Sequence, residues 1–288
     1  MNGQKINIAL AIQNEPIPVL PPGTSYLLLI LYDEKLDFKQ LAQELERFPS
    51  IAARILSVAN SVWSSPVSPI TSLPDACIRL GLQLVRSLSI ALTVANVFNP
   101  CKCPAFDSER YWTTAILAAE GATLLAEKLN QPDQALTWRC AALFHNIGLL
   151  YLADRKPHET GEALLREEEI SLTAAMREVL GIDYCEAGAW LIEAWELPVI
   201  FSKIVEYHKN PERTEEFVLA TASIGIAASF ASSLYQEKLW AKEAIPLGET
   251  IVLSPEKAEF IYYNLASKLP GIQKLAQSIM GGMYSRSG

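Results

Sequence analysis

Apolar residues return every three or four positions along almost the whole chain, and the strict apolar–polar alternation of a half-buried strand runs nowhere at length. That periodicity commits the chain to an all-α fold. Prolines and polar clusters cut the pattern into separate helices. Asp37 stands where it can cap a helix reaching about Arg47, with Phe38, Leu41 and Leu45 on one face. Pro49 then falls in the first turn of "PSIAARILSVANSV", where its missing N–H is tolerated, and Ile51, Ile55, Leu56 and Ala59 point inward. After the proline-rich connector "SSPVSPITSLPDA", residues 75 to 98 carry only two arginines, so a long buried helix is expected there, bent at Gly81. The segment "NPCKCPAFDS" has no periodicity and marks the clearest boundary. Beyond it the pattern predicts helices at about 107–130, 133–153, 158–167, 171–181, 184–196, 198–208, 215–237, 255–267 and 269–280. The expected organisation is a helical bundle over 1–104, a second bundle over 105–240 and a helical extension over 241–288.

A chain of 288 residues, half of them apolar, can bury a large core, and no repeat of fixed period points to a solenoid. Its formal charge of −8 argues against broad binding to a phosphate backbone, so nucleic acid is not an expected partner. Cys77, Cys101, Cys103, Cys140 and Cys185 form an odd set without the spacing of a disulfide framework or zinc ribbon, which suits reduced thiols in the cytoplasm. Cys101 and Cys103 make a C-x-C pair, but a tetrahedral zinc needs two further ligands. The opening "MNGQKINIALAIQNEP" has no long apolar stretch followed by a small-residue cleavage site. Val218 to Tyr235 is free of charge but rich in Ala, Ser and Gly, which makes it a buried helix packed through small faces; no membrane partner is expected.

The polar residues that stand out are His145 and Asn146, set in the apolar run "ALFHNIGLLYLA". Their plain structural reading is a core imidazole held by hydrogen bonds from Asn146, Tyr184 or Tyr207. His158 opens a polar helix and is expected to be exposed. Glu167, Glu168 and Glu169 diverge by about 100° per residue around a helix, so they read as a solvated end and not a paired-carboxylate site. Ser61, Ser64 and Ser65 lack a nearby base, and neither a G-x-S-x-G elbow nor a phosphate-binding glycine loop occurs. Trp112, Trp138, Trp190 and Trp195 fall at helical spacing on apolar faces and read as core, Trp190 and Trp195 wedging neighbouring helices together.

Taken in order, several blocks resemble the HDOD family, bacterial signalling modules related in fold to HD-type metal phosphohydrolases. They are "PSIAARILSVANS" (Pro49 to Ser61), an A-x-x-x-L-G run from Ala76 to Gly81, "ALFHNIG" (Ala142 to Gly148), "GIDYCEAGAWLIEAWELP" (Gly181 to Pro198) and "EYHKNP" (Glu206 to Pro211). The resemblance spans roughly residues 15 to 215 and implies that the second bundle is HD-like. Phe48 replaces the aspartate usual before the first block's proline, which alters a helix cap. Aligned on these blocks, the positions that hold metal in an HD-type hydrolase read Thr114, His145, Asn146, Tyr184, Tyr207 and His208. No carboxylate falls among them, and a divalent ion that activates water wants one. The resemblance therefore implies a vestigial pocket with no tight metal, no cofactor and no catalytic residue. The function it implies is non-catalytic signal output through a regulatory or signalling protein. Two alternatives stand beside it: a hydrolase of nucleotides or cyclic dinucleotides with substituted ligands, and a sensor whose pocket takes a small ligand such as a nucleotide.

Overall fold

The computed structural model of the chain describes residues 12, 17–20, 23–31, 35–60, 68–95, 97–238, 245–246 and 252–283. Ser61, Ser64 and Ser65 lie outside the described residues. The first helices are α1 (Thr24–Leu31), α2 (Phe38–Leu45), α3 (Pro49–Ala59), α4 (Leu73–Leu80) and α5 (Leu82–Ala95). Asp37 caps α2 in a reciprocal box: its carboxylate accepts from the Gln40 N–H at 2.8 Å, and the Gln40 side chain accepts from the Asp37 N–H at 2.9 Å. Phe48, in the position before Pro49, makes no side-chain cap. The helix expected over 75–98 is two helices. Gly81 takes φ +83°, a conformation open to glycine and strained for other residues, so the chain turns there instead of bending.

A second group follows the boundary segment: α6 (Ser108–Lys128), α7 (Ala135–Phe144), α8 (Ile147–Arg155), α9 (Pro157–Leu165), α10 (Leu172–Leu180), α11 (Tyr184–Ala194), α12 (Val199–Tyr207) and α13 (Val218–Tyr235). The single helix expected over 133–153 is also two, interrupted at His145 and Asn146. α6 is the hub; α7, α13 and the last helix, α14 (Pro255–Met283), all pack on it. Buried alanines and Gly121 along α6 let these neighbours approach closely. α13 is long and apolar enough to cross a membrane, yet 61% of it is buried within the fold, against α6 and α12 among others. Trp112, Trp138 and Trp195 are buried, and Trp190 packs beside Tyr151. Trp195 also donates its indole N–H to the Pro18 carbonyl at 2.8 Å, tying the segment 17–20 to the end of α11.

Between α13 and α14 the two-residue strands β1 (Ile245–Pro246) and β2 (Val252–Leu253) pair antiparallel, Ile245 opposite Leu253. The two helices expected over 255–267 and 269–280 form one continuous helix that carries Pro270 inside it. An interior proline costs about 3 kcal/mol. Leu265, Ile272, Leu275 and Ile279 are buried on one side of α14, which contacts α6 and α3, and about 1.5–3 kcal/mol per fully buried side chain outweighs that cost.

Candidate functional site

The interruption between α7 and α8 builds one wall of a cavity. His145 is the C-cap of α7 and Asn146 the N-cap of α8, and both line the cavity. Two glycines hold this geometry. A Cβ on Gly148 would lie 2.0 Å from the Tyr184 carbonyl oxygen, so only glycine lets the start of α8 press against the start of α11. A Cβ on Gly225 would lie 2.1 Å from the His208 carbonyl oxygen, and α13 crosses the end of α12 there for the same reason.

The cavity has a volume of about 390 Å³. Thr114, His145, Asn146 and Tyr184 line it. His208 is buried behind them, its ring edge-to-face with His145 at 5.3 Å and 6.1 Å from Tyr184. Tyr207 is not part of the wall; it is half-buried beside Lys203, whose ammonium lies 5.7 Å from its ring. Neither imidazole is held by Asn146, Tyr184 or Tyr207. His145 Nδ1 donates to the Ala142 carbonyl at 2.6 Å, and His208 Nδ1 donates to the Val205 carbonyl at 2.9 Å. Each therefore carries an unprotonated Nε2, and that of His208 is buried without a hydrogen-bond partner. Burial, with Lys209 adding to it, lowers the His145 pKa from 6.5 to about 4. Burial first, then His145 and Lys209, depresses His208 well below its ordinary value, and burial raises the Tyr184 phenol far above its own. Thr114 turns its hydroxyl back onto its own helix, donating to the Arg110 carbonyl at 2.8 Å.

Five charged residues line the cavity, of which Asp107, Arg110, Lys209 and Lys238 were not singled out from the sequence. Glu167, expected in a solvated end, accepts two parallel hydrogen bonds of 2.6 Å from Arg110 across the cavity mouth. Asp107 caps α6 through the Arg110 N–H at 2.9 Å and accepts from the Tyr235 hydroxyl at 3.1 Å. Lys209 and Lys238 complete the charged lining, giving three cations against two carboxylates on a chain whose net charge is −8. A hint was present in the one-turn spacing of Arg110 and Thr114 on α6; nothing local connects Arg110 to Glu167. A second surface depression, lined by Pro104, His158, Glu159, Glu162 and Leu165 among others, is more open.

Residues 17–211 match the family described as HDOD domain. The chain belongs to the HDOD family. A search of curated proteins gave no match. Among solved structures it is similar to an HDOD domain protein of unknown function from Geobacter sulfurreducens, at 20% identity and a TM-score of 0.72, over 96% of this chain and 99% of that one. A candidate phosphohydrolase from Shewanella amazonensis is matched at 20% identity and a TM-score of 0.71, over 95% and 98% of the two chains. A candidate signal transduction protein from Marinobacter aquaeolei is matched at 23% identity and a TM-score of 0.79, over 96% of this chain and 65% of that one. At such identities the likeness carries the fold and no chemistry.

Whether this HDOD cavity fits a divalent metal is decided by its donors. Among the described residues no group of three or more His, Cys, Asp or Glu side chains is placed to hold an ion. The imidazoles offer two Nε2 atoms, and Asn146 offers an amide oxygen. Both lining carboxylates are engaged, Glu167 by Arg110, and Asp107 by the α6 N-terminus and Tyr235. The set falls short of the three imidazole or carboxylate ligands with which a protein holds a catalytic divalent ion.

Proposed function

We propose that this HDOD chain is a non-catalytic signalling module in the cytoplasm, with its output carried by contact with a regulatory or signalling protein. What supports the reading is Asn146: where an HD-type hydrolase places the carboxylate that anchors its metal, this chain has a neutral amide. Water activation at neutral pH needs a strongly bound cation, and two neutral imidazoles beside an amide supply no charge to hold it. A buried pair of imidazoles near Lys209 further disfavours a dication. The likeness to the Marinobacter signal transduction protein agrees with a signalling role; the name of the Shewanella phosphohydrolase favours the opposite reading, which is open to direct test.

Purified full chain, incubated with manganese, magnesium or zinc, is assayed on phosphate monoesters, mononucleotides and cyclic dinucleotides, with bound metal measured in parallel. The expected result is no turnover above buffer and no stoichiometric ion. Turnover that disappears in both His145→Ala and His208→Ala would overturn the reading. Capture from the native cells is expected to retain identifiable regulators or kinases.

A further inference from the structure

The cavity is a polar site with unmet needs of one kind. His145 Nε2 is an acceptor because Nδ1 carries the ring's proton to Ala142, and it has no partner among the described residues. The neighbouring Asn146 is only 7% exposed, and its Oδ1 makes no hydrogen bond. Asn146 Oδ1 is a buried acceptor left unmet and His145, whose Nε2 is an acceptor, lines the cavity beside it, so the pair points to something that supplies both. A metal fails because fewer than three imidazole or carboxylate ligands converge among the described residues. An ammonium fails because the wall is buried and Lys209 lies close enough to act on both imidazoles. A neutral amino group succeeds: one nitrogen carries two hydrogens.

The rest of the lining restricts what carries that amino group. Phe106, Tyr111 and Tyr184 give the cavity aromatic walls, against which a flat ring can stack. Lys209 and Lys238 are exposed at its rim and have no carboxylate within ion-pair distance among the described residues, whereas Arg110 is committed to Glu167. These two free cations suit an anionic group at the opposite end of the ligand. The volume falls in the range of small-molecule sites, about 300–1,000 Å³.

From the unmet acceptors, the aromatic walls and the free rim cations together, we infer that the cavity binds a nucleoside monophosphate whose base bears an exocyclic amine, with the amine on His145 and Asn146 and the phosphate towards Lys209 and Lys238. Such a site would give the module a small-molecule input in addition to its protein output.

Titration calorimetry on the full chain with AMP, IMP, adenosine and inorganic phosphate tests this, with the nucleotides recovered afterwards to detect any hydrolysis. IMP replaces the amine with a carbonyl that faces the two acceptors with a third. AMP is expected to bind at least about tenfold more tightly than IMP, as when a buried polar group loses its partner. AMP should also exceed adenosine and phosphate. Lys209→Gln, at an exposed position that leaves the fold intact, should weaken AMP about fivefold and leave adenosine unchanged, the scale of a rim charge. Asn146→Ala should reduce the preference for AMP over IMP, leaving the part that His145 Nε2 carries. Equal affinity for AMP and IMP, phosphate binding as tight as AMP, or no AMP binding at millimolar concentration overturns the inference. Hydrolysis of bound AMP would instead overturn the non-catalytic reading and leave this one standing.

Discussion

His145 illustrates how far one side chain can be read from its neighbours in sequence. An imidazole between Phe144 and Asn146 on an apolar run reads as buried, and it is buried. What holds it was not legible: the expected donors were side chains, and the actual partner is the Ala142 carbonyl three residues back, exposed because α7 ends there. The consequence for stability follows from the proton balance. With the folded pKa lowered from 6.5 to about 4, the unfolded chain takes up a proton in that interval and the folded chain does not. Stability is therefore complete above pH 6.5 and declines as pH falls towards 4. Each tenfold loss of proton affinity is worth about 1.4 kcal/mol, so His145 accounts for roughly 3 kcal/mol of that decline. His208 adds in the same direction. Urea denaturation across this range should give a falling stability whose slope is visibly shallower in His145→Leu. An unchanged slope in that variant would mean the imidazole is not kept neutral by the fold.

Elements were legible where their boundaries are local. Asp37 announces α2 because its cap partner, Gln40, lies three residues away, and Pro49 announces α3 by its own ring. The break between α7 and α8 is different. Residues 133 to 153 have an unbroken helical pattern, and the interruption is imposed by α11 pressing on α8 from elsewhere in the chain. Continuity through Pro270 is likewise set by what α14 packs against, not by its own sequence. This contrast gives a prediction for a pair of glycines. Gly148→Ala puts a methyl group 2.0 Å from a carbonyl oxygen and 2.5 Å from the Gly188 amide nitrogen, both backbone atoms, so α8 and α11 must separate. It should cost at least about 3 kcal/mol, the scale of an overpacked core, or prevent folding. Gly161→Ala, inside α9 with no atom nearer than 3.6 Å, should be neutral or gain up to about 1 kcal/mol from helix propensity. Matched thermal melts of the two variants decide it; similar losses in both would show that close approach at Gly148 is not the constraint.

Across the whole molecule, the two helical groups and the last helix are joined by a polar node. Arg139 on α7 donates from Nε to the Ser87 hydroxyl of α5 at 2.6 Å and from Nη1 to the Thr123 hydroxyl of α6 at 3.2 Å, and it pairs with Glu120 of α6. Glu120 in turn accepts from Lys268 of α14 at 2.8 Å. Arg54 of α3 reaches the Ile279 carbonyl of α14 at 3.0 Å, a second tie between the first group and the last helix. None of these partners was readable from sequence, since Ser87 and Arg139 are separated by 52 residues and no local pattern relates them. Such a node is costly to break and less costly to replace, because removing one member strands the others in a poorly solvated site. Arg139→Ala should therefore lose about 3–5 kcal/mol, leaving Glu120 with Lys268 alone. Arg139→Met combined with Glu120→Leu, which withdraws both charges and refills the volume, should recover a large part of that loss. The shape of the transition carries the larger claim. If the node couples the groups, the wild-type chain unfolds in one cooperative step by tryptophan fluorescence and circular dichroism alike, and Arg139→Ala separates the two signals. Coincident curves in that variant, at unchanged stability, would show that apolar packing alone joins the groups and that Arg139 contributes nothing to their coupling.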